Sequence, residues 1–312
     1  MILKSSKIFV TGHRGMVGSK LVEKMLELGY TNILTKTRGD LDLLDQSSVN
    51  TFFKSEKPEF VIHLAAKVGG IKANINSPAT FLYDNLMMQA NVINASFLNE
   101  VKKFFFLGSS CIYPRESPQP MREEFLLTGK LEPTNEGYAI GKIAGIKLLE
   151  TYFTQYGFKS VSVMPSNLYG PNDSFDLEHA HVLSSLVKRF VDARDDNAAD
   201  VRLWGTGTAK REFLHVDDLI DAIVFFFENR EEHQFINVGP GNDISIKDLA
   251  ELIARKVNFK GNIIWDITKP DGMPRKCMDV GKMLQSGFVP KIELDKGIDG
   301  VIASYQQKKY NK

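Results

Sequence analysis

Short, mostly apolar runs alternate along the chain with longer segments whose apolar residues recur at helical spacing. The apolar runs occupy residues 7–10, 32–34, 60–64, 104–107 and 160–164, and the helical segments occupy residues 16–28, 47–55, 83–99 and 138–156. Strands that are apolar on both faces and alternate with helices are typical of a parallel sheet covered on both sides. The pattern therefore predicts a doubly wound α/β domain with a parallel sheet.

The pattern changes after residue 171. A polar loop leads to a predicted helix at 180–193, a strand at 201–204 and a helix at 216–229 that is long and apolar enough to return to the first layer. A strand at 235–238, a helix at 246–257 capped by Ser245, a strand at 263–265 and short pieces ending near Tyr305 complete the chain. We expect a first domain of residues 1–171 and 213–240, with a smaller α/β lobe of residues 172–212 and 241–312 packed on it.

Composition excludes several classes of protein. The chain has 312 residues, 43% of them hydrophobic and 25% charged, and its formal net charge of +1 argues against nucleic-acid binding. Only two cysteines occur, Cys111 and Cys277, which argues against a disulfide framework. No stretch reaches the ~18 apolar residues of a membrane span, and no secretion signal precedes the first strand. We therefore expect a cytoplasmic protein with neither membrane nor nucleic-acid partners.

A glycine-rich turn links the first strand to the first helix. It contains Gly12, His13, Arg14, Gly15, Met16, Val17 and Gly18. Glycines at this spacing allow a tight turn and a close approach to a pyrophosphate, and the helix start supplies amides and a positive field. The context of strand before and helix after predicts a dinucleotide-binding, Rossmann-type site.

The residues after the second strand distinguish between the two nicotinamide dinucleotides. A carboxylate there normally binds the ribose 2′-hydroxyl, but residues 35–38 contain no carboxylate and the first one is Asp40. Arg38, helped by Arg14 or Lys36, would instead attract a 2′-phosphate through charge-assisted hydrogen bonds. We expect NADPH as the cofactor, against the alternative that these are ordinary surface cations.

Four further residues suggest two chemistries in one pocket. Tyr138 and Lys142 are one helical turn apart, which suits proton delivery to a carbonyl during hydride transfer. Ser109 and Cys111 follow a strand whose carboxyl end should face the same crevice. A reductase has no need of the thiol, so Cys111 indicates a second reaction.

Several long segments resemble the extended short-chain dehydrogenase/reductases, and within them the enzymes that act on GDP-linked keto sugars. The segments are GHRGMVG at 12–18, AAKVGGI at 65–71, LGSSCIYP at 107–114, LEPTNEGYAIGKIAGIKL at 131–148, NLYGP at 167–171, WGTGTAKREFLHVDD at 204–218 and KPDGMPRK at 269–276. The resemblance spans nearly the whole chain. It implies NADPH-dependent 3,5-epimerisation and 4-reduction of GDP-4-keto-6-deoxy-D-mannose.

The resemblance also implies a role for each matching residue. Tyr138 would protonate the carbon 4 oxygen, Lys142 would lower the pKa of Tyr138 and hold the nicotinamide ribose, and Ser109 would bind the ketone. Cys111 and His181 would form the acid/base pair for epimerisation. The implied cofactor contacts are Gly12, His13, Arg14, Gly15, Met16, Val17, Gly18, Arg38, Asp42, Leu107, Gly108, Lys142, Pro165, Ser166, Asn167, Leu168 and His181. The implied substrate contacts are Arg189, Trp204, Arg211, Asp271 and Lys276, with no metal.

The chemistry of these residue types supports the allocation. The protons on carbons 3 and 5 flank a ketone, so their removal gives an enolate that donors at the carbonyl oxygen stabilise. Inversion needs a base on one face and an acid on the other, and a thiol with an imidazole can fill those roles near neutral pH. His179 lies two residues before His181, and the resemblance selects His181. Arg189 and Arg211 could clamp a diphosphate, and Trp204 could stack on guanine or cover the ribose.

Some alternatives stay open at this stage. Ser166 replaces a threonine of the resembling enzymes, and the loop at 172–178 differs enough to admit a related GDP-4-keto sugar, such as a heptose or a dideoxy hexose. A nucleotide-sugar 4-epimerase or 4,6-dehydratase is disfavoured because Ser110 and Cys111 stand where a dehydratase has an Asp-Glu pair. A redox-sensing module without catalysis is disfavoured by the complete set Ser109, Tyr138 and Lys142. The resemblance further implies a homodimer that pairs the helical segments at 83–99 and 138–156.

Overall fold

The computed structural model describes residues 2–171, 173–176, 180–229, 233–269 and 271–311. Its helices are α1 Met16–Glu27, α2 Gln46–Glu56, α3 Ile71–Asn76, α4 Pro78–Leu98, α5 Glu136–Tyr156, α6 Val182–Asp195, α7 Val216–Asn229, α8 Ile246–Lys256, α9 Gly281–Gln285 and α10 Leu294–Tyr310. Its strands are β1 Ile8–Thr11, β2 Ile33–Leu34, β3 Phe60–His63, β4 Lys103–Leu107, β5 Ser160–Pro165, β6 Asn167–Tyr169, β7 Asp200–Trp204, β8 Lys210–Arg211, β9 Phe213–His215, β10 Gln234–Val238, β11 Ile244–Ser245, β12 Asn262–Asp266 and β13 Arg275–Lys276. Three short 3-10 helices span Ser110–Ile112, Glu123–Phe125 and Pro133–Asn135.

A six-stranded parallel sheet in the order β10-β5-β4-β3-β1-β2 forms the centre of the molecule. Every residue of β1, β3, β4 and β5 is buried, as expected for strands covered by helices on both faces. The chain runs from β1 outward to β2 and then places β3 on the other side of β1. The predicted doubly wound α/β fold is confirmed, and its ligand crevice is expected beyond the carboxyl ends of these strands.

Two hydrophobic cores fill the described part of the chain. The larger core surrounds the six-stranded sheet and includes apolar residues of α7, the helix predicted to return to the first layer, which packs beside α1. The smaller core joins α6, α8 and α10 with the β7–β12 pair. The finer division at residues 171, 212 and 240 stays a prediction.

The sequence prediction was wrong at two helices. Helix α4 begins at Pro78 rather than near residue 83, because proline fixes the backbone dihedral that a first helical turn needs. The C-terminal region is not a set of short pieces, since α10 runs for 17 residues and buries Ile298, Val301 and Tyr305. No helix in the described ranges is long and apolar enough to cross a membrane.

Candidate active site

The glycine-rich turn packs its backbone against the neighbouring strand more closely than side chains allow. Gly12 has φ +73°, and a Cβ there would lie 2.8 Å from the amide nitrogen of Ala65. A Cβ on Gly18 would lie 2.1 Å from the carbonyl oxygen of Gly12. Gly15 caps α1 without a side chain, and the first turn of α1, from Met16 onward, carries no acidic residue. Its free amides therefore suit an anion such as a pyrophosphate.

The edge of the sheet beyond β2 presents a cation to solvent. The Arg38 side chain is 73% exposed, and its Nη2 lies 3.8 Å from Oδ2 of Asp42. Asp40 is turned back onto Thr37, whose amide and hydroxyl donate to its Oδ2 at 3.0 and 2.7 Å. Arg38 therefore offers an exposed positive charge at this edge, which fits a 2′-phosphate better than a free 2′-hydroxyl.

Ser109 lies directly beyond β4 and contacts two of the other predicted catalytic residues. Its hydroxyl oxygen accepts a 3.3 Å hydrogen bond from the amide of Cys111. The phenol of Tyr138, in the first turn of α5, faces the same hydroxyl closely enough for Ser109 to act on its pKa. The strand end and the helix start thus bring Ser109, Cys111 and Tyr138 together, although they are up to 29 residues apart in the sequence.

Donors surround the thiol of Cys111. Its Sγ accepts from Nδ2 of Asn135 at 3.2 Å and from Nζ of Lys276 at 3.5 Å. Burial acts to raise the pKa of Cys111, but the Lys276 charge and the hydrogen bonds from Ser109, Lys276 and Asn135 outweigh it and lower that pKa. The surroundings of Cys111 therefore favour a thiolate.

The pKa of Tyr138 is shifted in the opposite direction. Burial raises the pKa of Tyr138 well above its usual value, the charge of Cys111 raises it further, and the Ser109 hydrogen bond opposes both. The expectation that Lys142 lowers the pKa of Tyr138 is not met in this structure, because the ammonium of Lys142 turns to the sheet. Its Nζ donates to the carbonyl oxygen of Leu107 at 2.8 Å and lies 4.8 Å from the centre of the Phe106 ring.

Lys142 is itself a perturbed group. It is 2% exposed, and burial lowers its pKa to about 7. An additional hydrogen-bond acceptor, such as a ribose hydroxyl, would stabilise the charged form of Lys142 and raise its pKa again.

The other predicted cofactor contacts lie at neighbouring strand ends. The amide of Gly108 donates to Val163 at 2.8 Å, which joins the end of β4 to β5 just before Pro165. Ser166 is buried, and its hydroxyl has no partner. Asn167 is fixed, since its Nδ2 donates to the carbonyl oxygen of Glu212 at 2.8 Å, and Leu168 follows it in β6. The unpartnered hydroxyl of Ser166 is available to a ligand at this edge.

His181 stands apart from these residues. It caps α6, its side chain is 48% exposed, and its Nδ1 lies 3.5 Å from Oδ1 of the buried Asp173. The hydrogen bond to Asp173 raises the pKa of His181 above its usual value despite opposition from burial. No hydrogen bond or ion pair joins His181 to Cys111 among the described residues. His179, the alternative histidine, lies outside the described residues.

The predicted substrate contacts are distributed around the smaller core. Arg189 lies on α6, where its Nε is 3.4 Å from the hydroxyl of Ser185 and no described carboxylate pairs with it. Trp204 ends β7 and is 68% exposed, which is unusual for so large an aromatic ring. Arg211 lies opposite Lys276 in the β8–β13 register, and Asp271 accepts from the amide and the hydroxyl of Thr206.

A pocket of about 180 Å³ opens beside Tyr138. Asn74, Ile75 and Pro78 line one side of it, and residues 133–138 line the other. Oδ1 of Asn74 and Oδ1 of Asn135 are buried there without a hydrogen-bond partner. Unpartnered buried acceptors in a pocket are suited to the hydroxyl groups of a bound ligand.

The sequence prediction missed three residues that shape the site. Asn135 donates to the Cys111 thiol, Asp173 holds His181, and Asn74 lines the pocket beside Tyr138. Asn135 stands three residues before Tyr138 in one of the quoted segments, which is the only sequence signal for it. Within the ranges that the structure describes, no cluster of three or more His, Cys, Asp or Glu side chains could hold a metal ion.

Comparisons with known proteins identify the family of this chain. Residues 8–239 match the model of the NAD dependent epimerase/dehydratase family. The chain is 52% identical to GDP-L-fucose synthase 1 of Arabidopsis thaliana, covering 95% of this chain and 91% of that protein, and 48% identical to GDP-L-fucose synthase of Escherichia coli (strain K12), covering 95% of each. The solved structure of a GDP-mannoheptose C4 reductase from Campylobacter jejuni with NADP bound is 35% identical, with a TM-score of 0.90 and coverage of 98% of this chain and 100% of that one.

Proposed function

Because this chain belongs to the NAD dependent epimerase/dehydratase family, we propose that it converts GDP-4-keto-6-deoxy-D-mannose into GDP-L-fucose with NADPH. The reaction combines epimerisation at carbons 3 and 5 with reduction at carbon 4. The observation that carries the proposal is a thiol held for ionisation beside a tyrosine held as an acid, with Ser109 touching both. Groups whose surroundings push their pKa values apart are the ones suited to act as base and acid.

The residues present fit NADPH. The amides of the glycine turn would hold its pyrophosphate, Arg38 would bind its 2′-phosphate, and Lys142 would bind its nicotinamide ribose. The unpartnered hydroxyl of Ser166 lies at the same edge of the sheet. When bound, the cofactor supplies the hydride for carbon 4.

The epimerisation is assigned to Cys111 and His181. Cys111, favoured as a thiolate, is the base that removes a proton next to the ketone. His181, whose pKa is raised by Asp173, is the acid that returns a proton on the opposite face. Ser109 and Tyr138 donate hydrogen bonds to the ketone oxygen, which carries the negative charge of the enolate between these two transfers.

The reduction uses the same oxygen. Tyr138 stays protonated while Cys111 is ionised, because the neighbouring thiolate and burial both disfavour a phenolate. Its proton is therefore available when carbon 4 is reduced and the oxygen becomes an alkoxide. Ser109 serves both reactions, since each polarises one carbonyl.

The smaller core would hold the nucleotide part of the substrate. Arg189 has no described carboxylate partner, and Arg211 and Lys276 lie side by side on paired strands. This arrangement supports binding of a diphosphate. The exposed ring of Trp204 is available to stack on guanine. We therefore keep the prediction that the smaller lobe binds the GDP-sugar.

A homodimer formed through α4 and α5 is part of the proposal. These helices pack on each other, yet they leave Tyr83 58%, Leu86 36% and Ile140 41% exposed. A second copy would remove this apolar surface from water. Sedimentation velocity should give twice the monomer mass, and a concentration-independent monomer would exclude the dimer.

The decisive experiment supplies GDP-4-keto-6-deoxy-D-mannose and NADPH in deuterated water. We expect cofactor absorbance to fall while carbons 3 and 5 both gain deuterium, measured by NMR. Turnover without exchange would leave a reductase and remove the epimerase. A lack of turnover here, together with activity on a GDP-4-keto heptose or dideoxy hexose, would move the assignment to that sugar.

Two variants test the division of labour. Tyr138→Phe should lower the reduction rate by about 10²–10⁴-fold and keep part of the exchange, because only the proton for the alkoxide is removed. Cys111→Ser should lower exchange by a similar factor. Equal loss of both activities in both variants would contradict separate roles for Tyr138 and Cys111.

A further inference from the structure

The cation beside the catalytic thiol comes from a distant strand. Lys276 is 165 residues from Cys111 in the sequence, and its Nζ lies 3.5 Å from Sγ. The side chain is half-buried, and no described carboxylate forms an ion pair with it. Its neighbour Arg275, in contrast, pairs with Asp243. On β13, therefore, Arg275 is held by a carboxylate, whereas the ammonium of Lys276 is directed at the thiol.

The backbone around Lys276 is fixed on both sides. The amide of Met278 donates to Oε2 of the buried Glu212 at 2.9 Å. The amide of Cys277 donates to Oε1 of Gln119 at 2.9 Å, and its carbonyl accepts from the amide of Met121 at 2.8 Å. Residues 119–121 follow the 3-10 helix that carries Cys111, so the two segments are joined through these hydrogen bonds. The position of the ammonium is thus set by the fold.

The described groups that face the thiol are positively charged or neutral, and none of them is a carboxylate. Lys276 approaches from β13, Asn135 from the start of α5 and Ser109 from the strand end, while Tyr138 faces it as a neutral phenol. No described carboxylate contacts Sγ. Lys276 is therefore the one full positive charge that contacts it in the described part of the chain.

We propose that Lys276 is a positioning residue that acts through Cys111, holding its thiol as a thiolate ready to remove a proton from the substrate. The inference deepens the proposed function, because it gives the base of the epimerisation its charge partner. Lys276 could act on the thiol or on the substrate diphosphate, and the two roles have different consequences. A lysine that only bound the diphosphate would alter substrate affinity and leave the thiol unchanged.

The test measures the thiol directly, without substrate or cofactor. In a Cys277→Ala background, the rate of alkylation of Cys111 by iodoacetamide is followed as a function of pH by mass spectrometry. Lys276→Met should move the midpoint upward by about one pH unit and slow alkylation at neutral pH about tenfold, because the thiolate loses its charge partner. Lys276→Arg should restore the midpoint.

The matched control is Lys210→Met, which removes an exposed positive charge from the adjacent strand β8. We expect its profile to superimpose on that of the parent. A superimposable profile for Lys276→Met would overturn the proposal, and Lys276→Gln decides the question should the methionine variant not fold.

Kinetics supply a second readout. In the deuterium-exchange assay, Lys276→Met should lower kcat at neutral pH and regain it as the pH rises and the thiol ionises unaided. A rise in KM at every pH with an unchanged alkylation profile would assign Lys276 to substrate binding alone. Failure of the proposed reaction leaves the alkylation result standing, so the two proposals fail separately.

Discussion

Cys111 and His181, the two residues proposed to move protons on the sugar, are held in different ways. Cys111 receives hydrogen bonds from two other parts of the chain, Asn135 and Lys276, and sits at a strand end of the large core. His181 starts a helix of the smaller core, is about half exposed and rests on Asp173. The surroundings of the base, Cys111, are therefore fixed by several segments before substrate arrives. The pKa of the acid, His181, depends on the single carboxylate of Asp173.

The largest effect that tests this difference is expected from His181→Asn. Removal of the imidazole should lower deuterium exchange by about 10²-fold, because no other described acid is placed to replace it. The pH profile of Cys111 alkylation should not move, since no contact joins the two residues. A shifted alkylation profile would show that the two residues are coupled and break the comparison.

A smaller effect is expected from Asp173→Asn. Asp173 raises the pKa of His181, so the imidazolium persists to higher pH than in a free histidine. The variant should move the falling, alkaline limb of the exchange profile to lower pH by about one unit, with up to tenfold loss at neutral pH. Asp196→Asn, which removes an exposed charge at the end of the same helix, is the control. If the rising, acidic limb moves to lower pH instead and the alkaline limb stays in place, His181 acts as the base.

Glu212→Gln should change activity least and stability most. Oε1 and Oε2 of Glu212 accept from the amides of Gly241 and Met278, and burial raises its pKa to about 7 from 4.5. The folded protein then binds a proton that the unfolded chain has released, so the contribution of Glu212 to stability is greatest below about pH 4.5 and is lost as the pH rises to about 7. The loss is roughly 3 kcal/mol at most.

The glutamine variant should remove that pH dependence. It should also cost about 1–3 kcal/mol at pH 5, because its Nε2 cannot accept the second amide hydrogen. Urea unfolding of both proteins at pH 5 and pH 8 measures the difference. Parallel pH dependence in the two proteins would show that Glu212 is ionised throughout. Because Glu212 fixes the segment of Lys276, the variant should also perturb Cys111 more than His181.

Local signals predicted most of the fold. Helix α7 was predicted at its observed bounds, and Ser245 caps α8 as its sequence position indicates, accepting from the amide of Asp248 at 3.0 Å. The start of α4 was missed because apolar spacing is weak there. Helix α10 is different, because Ile298, Val301, Ile302 and Tyr305 do recur at helical spacing and the prediction did not use that signal. Periodicity reports burial on one face, and it fails where a helix buries residues around most of its surface.

The site was predictable where its residues share a segment or directly follow a strand of the parallel sheet, as Ser109 and Cys111 do. Tyr138 and Lys142 are one turn apart, and the glycine turn is contiguous. The contact of Lys276 with Cys111 depends on the pairing of β13 with β8 and on hydrogen bonds to residues 119–121, which no local pattern reveals. The direction of the Lys142 ammonium, toward Leu107, likewise follows from packing around Phe106.

The edge strand β10 has a consequence for biosynthesis. It pairs along its whole length with β5, yet residues 166–233 separate the two strands, and much of the smaller core is formed from that interval. During translation, β5 can pair with β4 at once, but its other edge stays open until about three quarters of the chain has been made. A fragment that ends at Pro171 would expose this buried apolar edge permanently and should aggregate.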